Sequence, residues 1–326
     1  MIGGTGFLGT ALAHRLLDDN LAGRVLVMSS SEHRQAEMAD AFHHDPRLGF
    51  ILGDVRDPQR NHDALYRIDT VVNCAALKRV DRVTHDPLEI FKTNIAGTQN
   101  VVQAAIERGI ARVLVISSDK GCQPANPYGV SKAAAEAITI QANHFGMPRT
   151  RLACVRYGNV SSSTGSVVPV WRRQSAAGEP LTLTDERMVR FWMTVDQAVQ
   201  FVLGGLAAMR GGEVLVPRLP SMRLTDLAEA VAPGHPIKIT GLRVGGEKLS
   251  EALLSEDESP RAVAVPRLGP YDRPAFVIEP SYMTWDRELW RGEMLPEGFR
   301  YTSAENTDRL TVEQIRSTLP DDLVRP

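Results

Sequence analysis

Two groups of side chains in one short stretch have the types and spacing needed for acid–base catalysis. Tyr128 and Lys132 are four residues apart in a segment of helical character, so both are expected on one face of a helix. A lysine ammonium close to a phenol lowers the pKa of that phenol, and the resulting tyrosinate can take a proton from a hydroxyl group. Just upstream lie Ser118, Asp119 and Lys120, and the last two offer a carboxylic acid and an amine base.

A glycine-rich turn at the start of the chain has the form that holds a phosphate. Three of its four glycines are spaced as GxxGxxG, and the turn leads directly into a helix whose leucines share one face. Such a turn brings backbone N–H groups up to a pyrophosphate at the helix N-terminus. The residues expected to contact a dinucleotide here are Gly3, Thr5, Gly6, Phe7, Leu8 and Gly9.

The next strand ends where the residues that contact the adenosine ribose belong, about 20 residues after the turn. The candidates there are Ser29, Ser30, Ser31 and Arg34. A carboxylate at this point would repel a 2′-phosphate, and three serines take its place, so we expect NADP, with NAD as the alternative. The same residues also fit a serine-rich helix cap beside a solvated arginine. After the following strand, Asp54 and Val55 are expected near the adenine edge, although Asp54 also fits a turn.

Short β-branched runs alternate with helical patterns over the first 160 residues. Strands are predicted at 24–28, 49–52, 70–73, 112–116 and 151–155, and a helix at 87–108. This alternation predicts an α/β fold with a doubly wound parallel sheet of the Rossmann type. Ser118, Asp119 and Lys120 then follow a strand at the carboxyl edge of the sheet, where such folds bind ligands.

The pattern changes after residue 160, where proline, glycine and charged residues become denser. We therefore predict a dinucleotide-binding domain at 1–160. Residues 161–326 are expected to form mainly a smaller substrate-binding lobe, with some segments returning to the sheet. The acidic run at 255–260 is expected to be a solvated loop, and no metal site is expected.

Only Met1 and Ile2 precede the glycine turn, whereas a buried strand of about five residues usually does. A strand cut to two residues loses several buried side chains, at roughly 1.5–3 kcal/mol each. We therefore expect either a native start further upstream or a chain of lower stability that binds its cofactor weakly.

Composition limits the remaining function classes. The 326 residues carry a net charge of −2, and 43% are hydrophobic, so a large core is expected and neither nucleic acid nor an anionic membrane is attracted. The three cysteines fit neither a zinc spacing nor a disulfide framework, which favours a reduced compartment. No apolar window reaches the ~18 residues of a membrane span, and no signal peptide is recognised. We expect a cytoplasmic protein.

Residues 117–132 resemble the inverting UDP-N-acetylglucosamine 4,6-dehydratases, extended short-chain dehydrogenases that make a 4-keto-6-deoxy sugar with inversion at C5. Similar blocks lie at 53–57, 75–80, 92–100, 156–160, 165–169, 190–194, 216–222, 246–249, 296–299 and 306–307. The resemblance therefore covers nearly the whole chain.

This resemblance implies roles for the five residues introduced first. Tyr128, assisted by Lys132, would take the O4 proton of a UDP-sugar while C4 is transiently oxidised by NAD(P)+, and the Ser118 hydroxyl would bond O4. Lys120 would remove the C5 proton if its neighbours and burial hold it partly neutral, and a protonated Asp119 would donate to the departing C6 hydroxyl.

The resemblance also implies binding residues and homo-oligomeric assembly. Further cofactor contacts are Ala75, Ala76, Lys78 and Asn94, and substrate contacts are Lys78, Tyr157, Asn159, Ser166, Val167, Arg190, Arg243 and Glu247. The two arginines and Asn159 would hold the diphosphate, and Glu247 the uridine ribose. The chain departs from the family at Ser30, at Ser162 and Thr164, and at 244–246, so cofactor choice and the sugar or base stay open.

Two alternatives remain. A nucleotide-sugar epimerase or ketoreductase would use only Tyr128 and Lys132, and Asp119 with Lys120 argues for the dehydratase, since oxidation and re-reduction at C4 needs no acid to expel a hydroxyl. A catalytically silent, cofactor-binding regulator is an alternative of another class. Intact Tyr128 and Lys132 argue against it.

Overall fold

The computed structural model describes residues 1–78, 86–161, 163, 165–243 and 245–319. The helices are α1 (Phe7–Asp18), α2 (Glu32–Ala41), α3 (Pro58–Ala64), α4 (Pro87–Ile90), α5 (Gly97–Arg108), α6 (Pro127–Gln141), α7 (Asn143–Gly146), α8 (Val167–Ala176), α9 (Val195–Ala208), α10 (Leu224–Val231) and α11 (Val312–Ser317). The strands are β1 (Val25–Ser29), β2 (Leu48–Leu52), β3 (Thr70–Asn73), β4 (Arg112–Ile116), β5 (Arg151–Val155), β6 (Asn159–Val160), β7 (Leu181–Leu183), β8 (Val189–Met193), β9 (Val214–Pro217), β10 (Ser221–Arg223), β11 (Ile237–Ile239), β12 (Ala252–Leu254), β13 (Ala262–Val265), β14 (Ala275–Ile278), β15 (Glu293–Met294) and β16 (Tyr301–Thr302).

A parallel sheet forms the centre of the molecule and confirms the predicted α/β fold. Strands β3, β4, β5 and β9 lie side by side in parallel, and β1 pairs in parallel with β2. Ile2 forms parallel bridges to Met28 of β1 and to Asn73 of β3, so it joins the two groups of strands. The backbone N–H of Gly3 donates to the Met28 carbonyl at 2.7 Å, and that of Cys74 to the Ile2 carbonyl at 2.9 Å. The glycine turn therefore starts at the carboxyl edge of the sheet.

Segments from the second half of the chain extend this sheet. β9 pairs with β5, and β14, β13 and β15 follow in antiparallel order. The other strands of this half form small sheets, of which the largest has the order β10-β8-β6. The domain boundary at residue 160 stays a prediction.

The predicted helix at 87–108 contains a change of winding. Between α4 and α5, a π-helical turn at Phe91–Ala96 replaces regular α-helical geometry. Such single turns are frequent at functional sites. The wider turn carries Asn94, whose side chain is buried.

A second apolar core lies apart from the central sheet and is built from residues of the second half of the chain. Trp171 of α8 lies at its centre with Leu181, Leu183, Trp192 and Leu227, all buried. The indole N–H of Trp171 donates to the Thr182 carbonyl at 2.7 Å, so the polar atom of this large side chain is satisfied.

The prediction of a solvated loop at 255–260 is wrong for Glu258. The run forms a 3₁₀ helix at Glu256–Arg261, and the Glu258 carboxylate contacts the buried Arg156 guanidinium at 2.8 and 3.0 Å. Arg156 also binds Glu136 of α6. Burial acts to raise the pKa of Glu258, but Arg156 outweighs it and lowers that pKa to about 2. A buried guanidinium requires carboxylate partners, and the run supplies one.

The three cysteines are free thiols, and Cys122 and Cys154 are buried. Burial raises the pKa of Cys122 to about 12, so its reactive thiolate is scarce at neutral pH. Within the described part of the chain, no helix has the length and apolar character to cross a membrane.

Replacing Trp171 by alanine should destabilise the protein through this second core. We expect the free energy of unfolding to fall by about 3–5 kcal/mol, because a large cavity and an unpaired carbonyl remain. Urea denaturation measures the change. Phe145→Ala is the control, since Phe145 is 76% exposed, and should change the value by less than about 0.5 kcal/mol. Equal losses in both variants would show that Trp171 does not organise this core.

Candidate active site

Ser118, Asp119 and Lys120 lie where β4 and β5 end. The Ser118 hydroxyl accepts from the backbone N–H of Lys120 at 3.2 Å and caps a 3₁₀ turn at Asp119–Gly121. The backbone N–H of Asp119 donates to the Tyr157 carbonyl at 3.0 Å. The turn is therefore fixed to both strands at the carboxyl edge of the sheet.

Helix α6 presents Tyr128 to this turn. Asn126 caps the helix by accepting from the Gly129 N–H at 2.9 Å, and Pro127 starts its first turn. The side chain of Ser118 lies close enough to the phenol of Tyr128 to lower the pKa of that phenol. The structure thus brings Ser118, Asp119, Lys120 and Tyr128 together.

Lys132 lies deeper than expected and does not lower the pKa of Tyr128. Its Nζ donates to the Ile116 carbonyl at 2.8 Å. Burial of the phenol raises the pKa of Tyr128 above its ordinary value, and the Ser118 side chain only partly offsets this. Burial also lowers the pKa of Lys132 to about 8. In the protein alone, burial therefore outweighs any activation of the phenol, and the activation of Tyr128 by Lys132 stays a prediction.

Lys120 is held as an ammonium between two buried carboxylates. Its Nζ lies 3.0 Å from Asp119 Oδ2 and 2.8 Å from Glu251 Oε1. Burial acts to lower the pKa of Lys120, but the two carboxylates outweigh it, and the pKa is raised. The condition set for Lys120 as a base, that neighbours and burial hold it partly neutral, is therefore not met in the protein alone, and its role as a base stays a prediction.

Sequence reasoning missed Glu251, although it contacts the candidate base directly. Its side chain is 2% exposed, and burial followed by the charge of Asp119 raises the pKa of its carboxyl group. The only signal in the sequence is a carboxylate directly before the apolar strand β12. That signal does not show which residue the carboxylate meets.

The glycine turn has the geometry for a pyrophosphate. Gly3 has a φ of +70°, and a Cβ there would lie 2.7 Å from the Cα of Ala75. A Cβ on Gly9 would lie 2.6 Å from the Cα of Gly4. Helix α1 begins at Phe7 with no side-chain cap from the described residues. Free N–H groups at this end suit an anionic ligand, so the turn fits a dinucleotide.

Only some of the side chains predicted to contact the adenosine end of the cofactor are without other hydrogen-bond partners among the described residues. Ser29 accepts from the Gln35 amide at 3.1 Å, and Ser31 caps α2. Ser30 and Arg34 are exposed at the same end of β1. Asp54 is engaged by Arg56, which lowers the pKa of that carboxyl group.

Asn94 joins two parts of the site. Its Oδ1 accepts from the Leu77 N–H at 2.8 Å, and its Nδ2 donates to the Leu77 carbonyl at 3.0 Å and to Ser131 Oγ at 2.9 Å. This side chain fixes the loop after β3, which includes Ala75, Ala76 and the exposed Lys78, to helix α6. Val55 is buried and packs against Gly97.

The residues predicted to bind the substrate differ in how deeply they are buried and in which groups they contact. Arg190 is buried, and its Nη atoms donate to the carbonyls of Val189, Lys248 and Leu249 at 2.7–2.9 Å. Glu247 accepts from the Arg243 N–H at 3.0 Å, and Arg243 is exposed. As ligand-binding residues, all of these stay predictions.

The other predicted substrate residues lie on nearby elements. Tyr157 is buried after β5, Asn159 is exposed on β6, and Ser166 precedes Val167 at the start of α8. The hydroxyl of Ser166 is buried and has no hydrogen-bond partner among the described residues. Positions 162, 164 and 244, where the chain departs from the family, lie outside the described residues.

Comparison with known proteins gives one consistent family. The sequence model of the family described as polysaccharide biosynthesis protein matches residues 1–269. The chain is 37% identical over 314 residues to a UDP-N-acetylglucosamine 4,6-dehydratase (inverting) of Campylobacter jejuni, covering 93% of this chain and 91% of the relative. It is 33% identical over 325 residues to a UDP-glucose 4-epimerase of Rickettsia typhi, covering 97% and 93%.

Solved structures give the same fold. The X-ray structure of Pen from Bacillus thuringiensis has a TM-score of 0.86 at 31% identity and covers 97% of this chain and 94% of that chain. DesIV, a dTDP-glucose 4,6-dehydratase from Streptomyces venezuelae with NAD and TYD bound, has a TM-score of 0.68 at 25% identity and covers 76% and 85%.

The lowered pKa of Lys132 should make stability depend on pH. Between about pH 8 and the ordinary value of 10.5, the unfolded chain binds a proton at this lysine that the folded protein does not. Stability should therefore rise through this window, and wild type should gain about 3 kcal/mol relative to Lys132→Met. Urea denaturation at several pH values measures the difference. Lys92→Met, at an exposed lysine, should show no such trend, and a constant difference for Lys132→Met would contradict the assignment.

Proposed function

This chain belongs to the polysaccharide biosynthesis protein family, and on that basis we propose that it is a nucleotide-sugar 4,6-dehydratase acting on UDP-N-acetylglucosamine. The product would be a 4-keto-6-deoxy sugar inverted at C5. One observation carries the proposal: Asp119 and Lys120 lie beside Tyr128 at the carboxyl edge of the sheet. Oxidation at C4 needs only one acid–base residue, Tyr128. Asp119 and Lys120 thus provide a further acid and a further base.

The cofactor is a nicotinamide dinucleotide, and the glycine turn and the start of α1 are the residues that would hold it. When bound, it supplies hydride acceptance at C4 and hydride return at C6, so net redox is zero. Tyr128 takes the proton of the O4 hydroxyl, and Ser118 orients that hydroxyl by hydrogen bonding. Because burial raises the pKa of Tyr128 in the protein alone, its activation depends on charge brought by the ligands.

The elimination needs two groups. The ketone at C4 acidifies the C5 proton, and Lys120 removes that proton. Asp119 receives this proton from Lys120 across their 3.0 Å contact and gives it to the departing C6 hydroxyl, which leaves as water. The contact between Lys120 Nζ and Asp119 Oδ2, at 3.0 Å, supports this assignment because base and acid then lie within reach of neighbouring carbons.

The nucleotide would be held by the second half of the chain. Arg243 is exposed and can reach a diphosphate, whereas Arg190 would have to exchange carbonyl partners to do so. Glu247, which contacts the Arg243 backbone, would accept from the uridine ribose. Asn159 on β6, with Ser166 and Val167 at the start of α8, would complete the contacts.

We favour NADP over NAD as the cofactor. Ser30 and Arg34 are exposed at the end of β1, and neither would repel a 2′-phosphate. No carboxylate occupies the position of Ser30. The same proposal includes a cytoplasmic location and a homo-oligomer, both of which rest on the sequence.

A UDP-glucose 4-epimerase is the second candidate, because the Rickettsia relative carries that name. Epimerisation at C4 needs oxidation, rotation of the sugar and return of hydride, with one acid–base residue. It gives no role to Asp119 and Lys120. The two reactions are separated by whether C5 exchanges its proton.

Incubation of the protein with UDP-N-acetylglucosamine and NADP in deuterated water tests the proposal. We expect a 4-keto-6-deoxy product with deuterium at C5, detected by NMR and mass spectrometry, because the C5 proton is removed and replaced. UDP-glucose is tested in parallel. Conversion to the C4 epimer without deuterium at C5 would instead establish the epimerase.

Lys120→Ala separates binding from chemistry in the same assay. The variant should bind cofactor as wild type does but lose elimination by about 10²–10⁴-fold, because the base is gone. Lys92→Ala, at an exposed lysine, should react normally. Normal turnover by Lys120→Ala would place the base elsewhere.

Arg34→Ala tests the choice of cofactor. Removing an arginine that binds a 2′-phosphate should weaken NADP binding by about tenfold and leave NAD binding nearly unchanged. Calorimetric titration with each cofactor gives the ratio of dissociation constants, in which any general loss of binding cancels. An unchanged ratio would remove Arg34 from the cofactor site.

A further inference from the structure

The assignment of Lys120 as base leaves a proton unaccounted for. An ammonium cannot accept the C5 proton, and the two carboxylates beside Lys120 raise its pKa. Before each turnover this side chain must therefore pass one proton to another group. If Lys120 is the base, as the proposed function requires, a neighbouring group must receive that proton.

Glu251 is in direct contact with the proton that must leave. Its Oε1 lies 2.8 Å from Lys120 Nζ, which is hydrogen-bond distance. Its Oε2 is buried and has no hydrogen-bond partner among the described residues. A buried, half-satisfied carboxylate gains by becoming a neutral acid, because burial penalises its charge.

The backbone around Glu251 is fixed. Its N–H donates to Ser303 Oγ at 3.0 Å, and its carbonyl accepts from the Ser303 N–H at 2.8 Å. Ser303 is fully buried, and its hydroxyl donates to the Val189 carbonyl at 2.9 Å. These hydrogen bonds fix the backbone from which the Glu251 side chain reaches Lys120.

We propose that Glu251 is the positioning residue that accepts the proton of Lys120 and so converts the ammonium into the amine that removes the C5 proton. The N–H bond of Lys120 breaks as an O–H bond forms on Glu251. Charge is conserved within the pair, since an ammonium and a carboxylate become an amine and a carboxylic acid. No solvent molecule is required.

Other charged groups face this pair and bias the transfer. Asp119, on the same turn as Lys120, lies 3.0 Å from the ammonium and opposes its deprotonation. Arg190, on β8, approaches Glu251 Oε1 with its Nε at 3.9 Å and opposes protonation of the carboxylate. Tyr128, on α6, contacts the turn through Ser118. A bound substrate that engages Asp119 and the arginines proposed to hold the diphosphate would weaken the effect of Asp119 on Lys120 and of Arg190 on Glu251. Proton transfer from Lys120 to Glu251 is therefore coupled to substrate binding.

Glu251→Gln removes the acceptor with little change of shape. In the variant Lys120 must lose its proton to solvent, so kcat should fall about 10²-fold near neutral pH while KM changes much less. The deficit relative to wild type should shrink as pH rises, by up to about tenfold per pH unit, until Lys120 is neutral. The rate of C5 deuterium incorporation in deuterated water should follow the same profile.

Glu213→Gln is a matched control. Glu213 is fully buried, has a raised pKa and also has an unpartnered Oε2 among the described residues, but it lies beside Arg287, away from Lys120. Its variant should keep the wild-type pH profile even if it is less stable. Glu251→Asp retains an acceptor and should turn over more slowly than wild type with the wild-type pH profile.

The outcomes separate the two levels of inference. Wild-type protein that never labels C5 contradicts the proposed function, and the role of Glu251 with it. If wild type labels C5 and Glu251→Gln has the wild-type rate, or loses rate by one factor at every pH, the role of Glu251 alone is overturned. If Glu251→Gln does not fold, Glu251→Asp decides: a loss that depends on pH would overturn the proposal.

Discussion

Two cations at the carboxyl edge of the sheet, one half-buried and one fully buried, are held by carboxylate partners, and these pairs organise the molecule. Lys120 lies between Asp119 and Glu251, and Arg156 lies between Glu136 and Glu258. Each cation comes from the first half of the chain, and each has one partner from the second half. An unpaired charge on the buried Arg156 would cost several kcal/mol. The second half must therefore fold onto the sheet before the edge is stable.

The segment that supplies Glu251 also covers the site. Lys248 donates to the carbonyls of Cys122 and Gln123, directly after the 3₁₀ turn at Asp119–Gly121. Gly246 comes so close to Ala125 that a Cβ on it would lie 3.0 Å from the Ala125 carbonyl carbon. The residues proposed to bind the nucleotide and those proposed to carry out proton transfer thus belong to one continuous packing arrangement. Nucleotide binding at one end of this segment can therefore affect proton transfer at its other end through short contacts.

The sequence was informative wherever local chemistry decides the outcome. Strands at 70–73, 112–116 and 151–155 have the predicted bounds, because a run buried on both faces is apolar throughout. The glycine turn was recognisable because a positive φ at Gly3 favours glycine. Placement of Ser118, Asp119 and Lys120 at the sheet edge followed from the strand before them.

The predictions that the structure does not support concern contacts between residues that lie far apart in the sequence. Whether Lys132 meets Tyr128 or the Ile116 carbonyl is decided by how deeply α6 packs, and helical spacing does not report depth. The partner of Lys120 comes from more than a hundred residues away, so no local pattern indicates Glu251. The same holds for Glu258, where a polar run conceals one buried carboxylate.

The amide of Asn94 differs in kind from the charged groups around it. It joins the loop after β3 to helix α6 through three hydrogen bonds, and an amide neither gains nor loses a proton between acid and alkaline conditions. Its attachment is therefore insensitive to the protonation changes that Lys120, Glu251 and Tyr128 would undergo. The scaffold can stay rigid while charge moves within it, because rigidity and proton transfer are assigned to different functional groups.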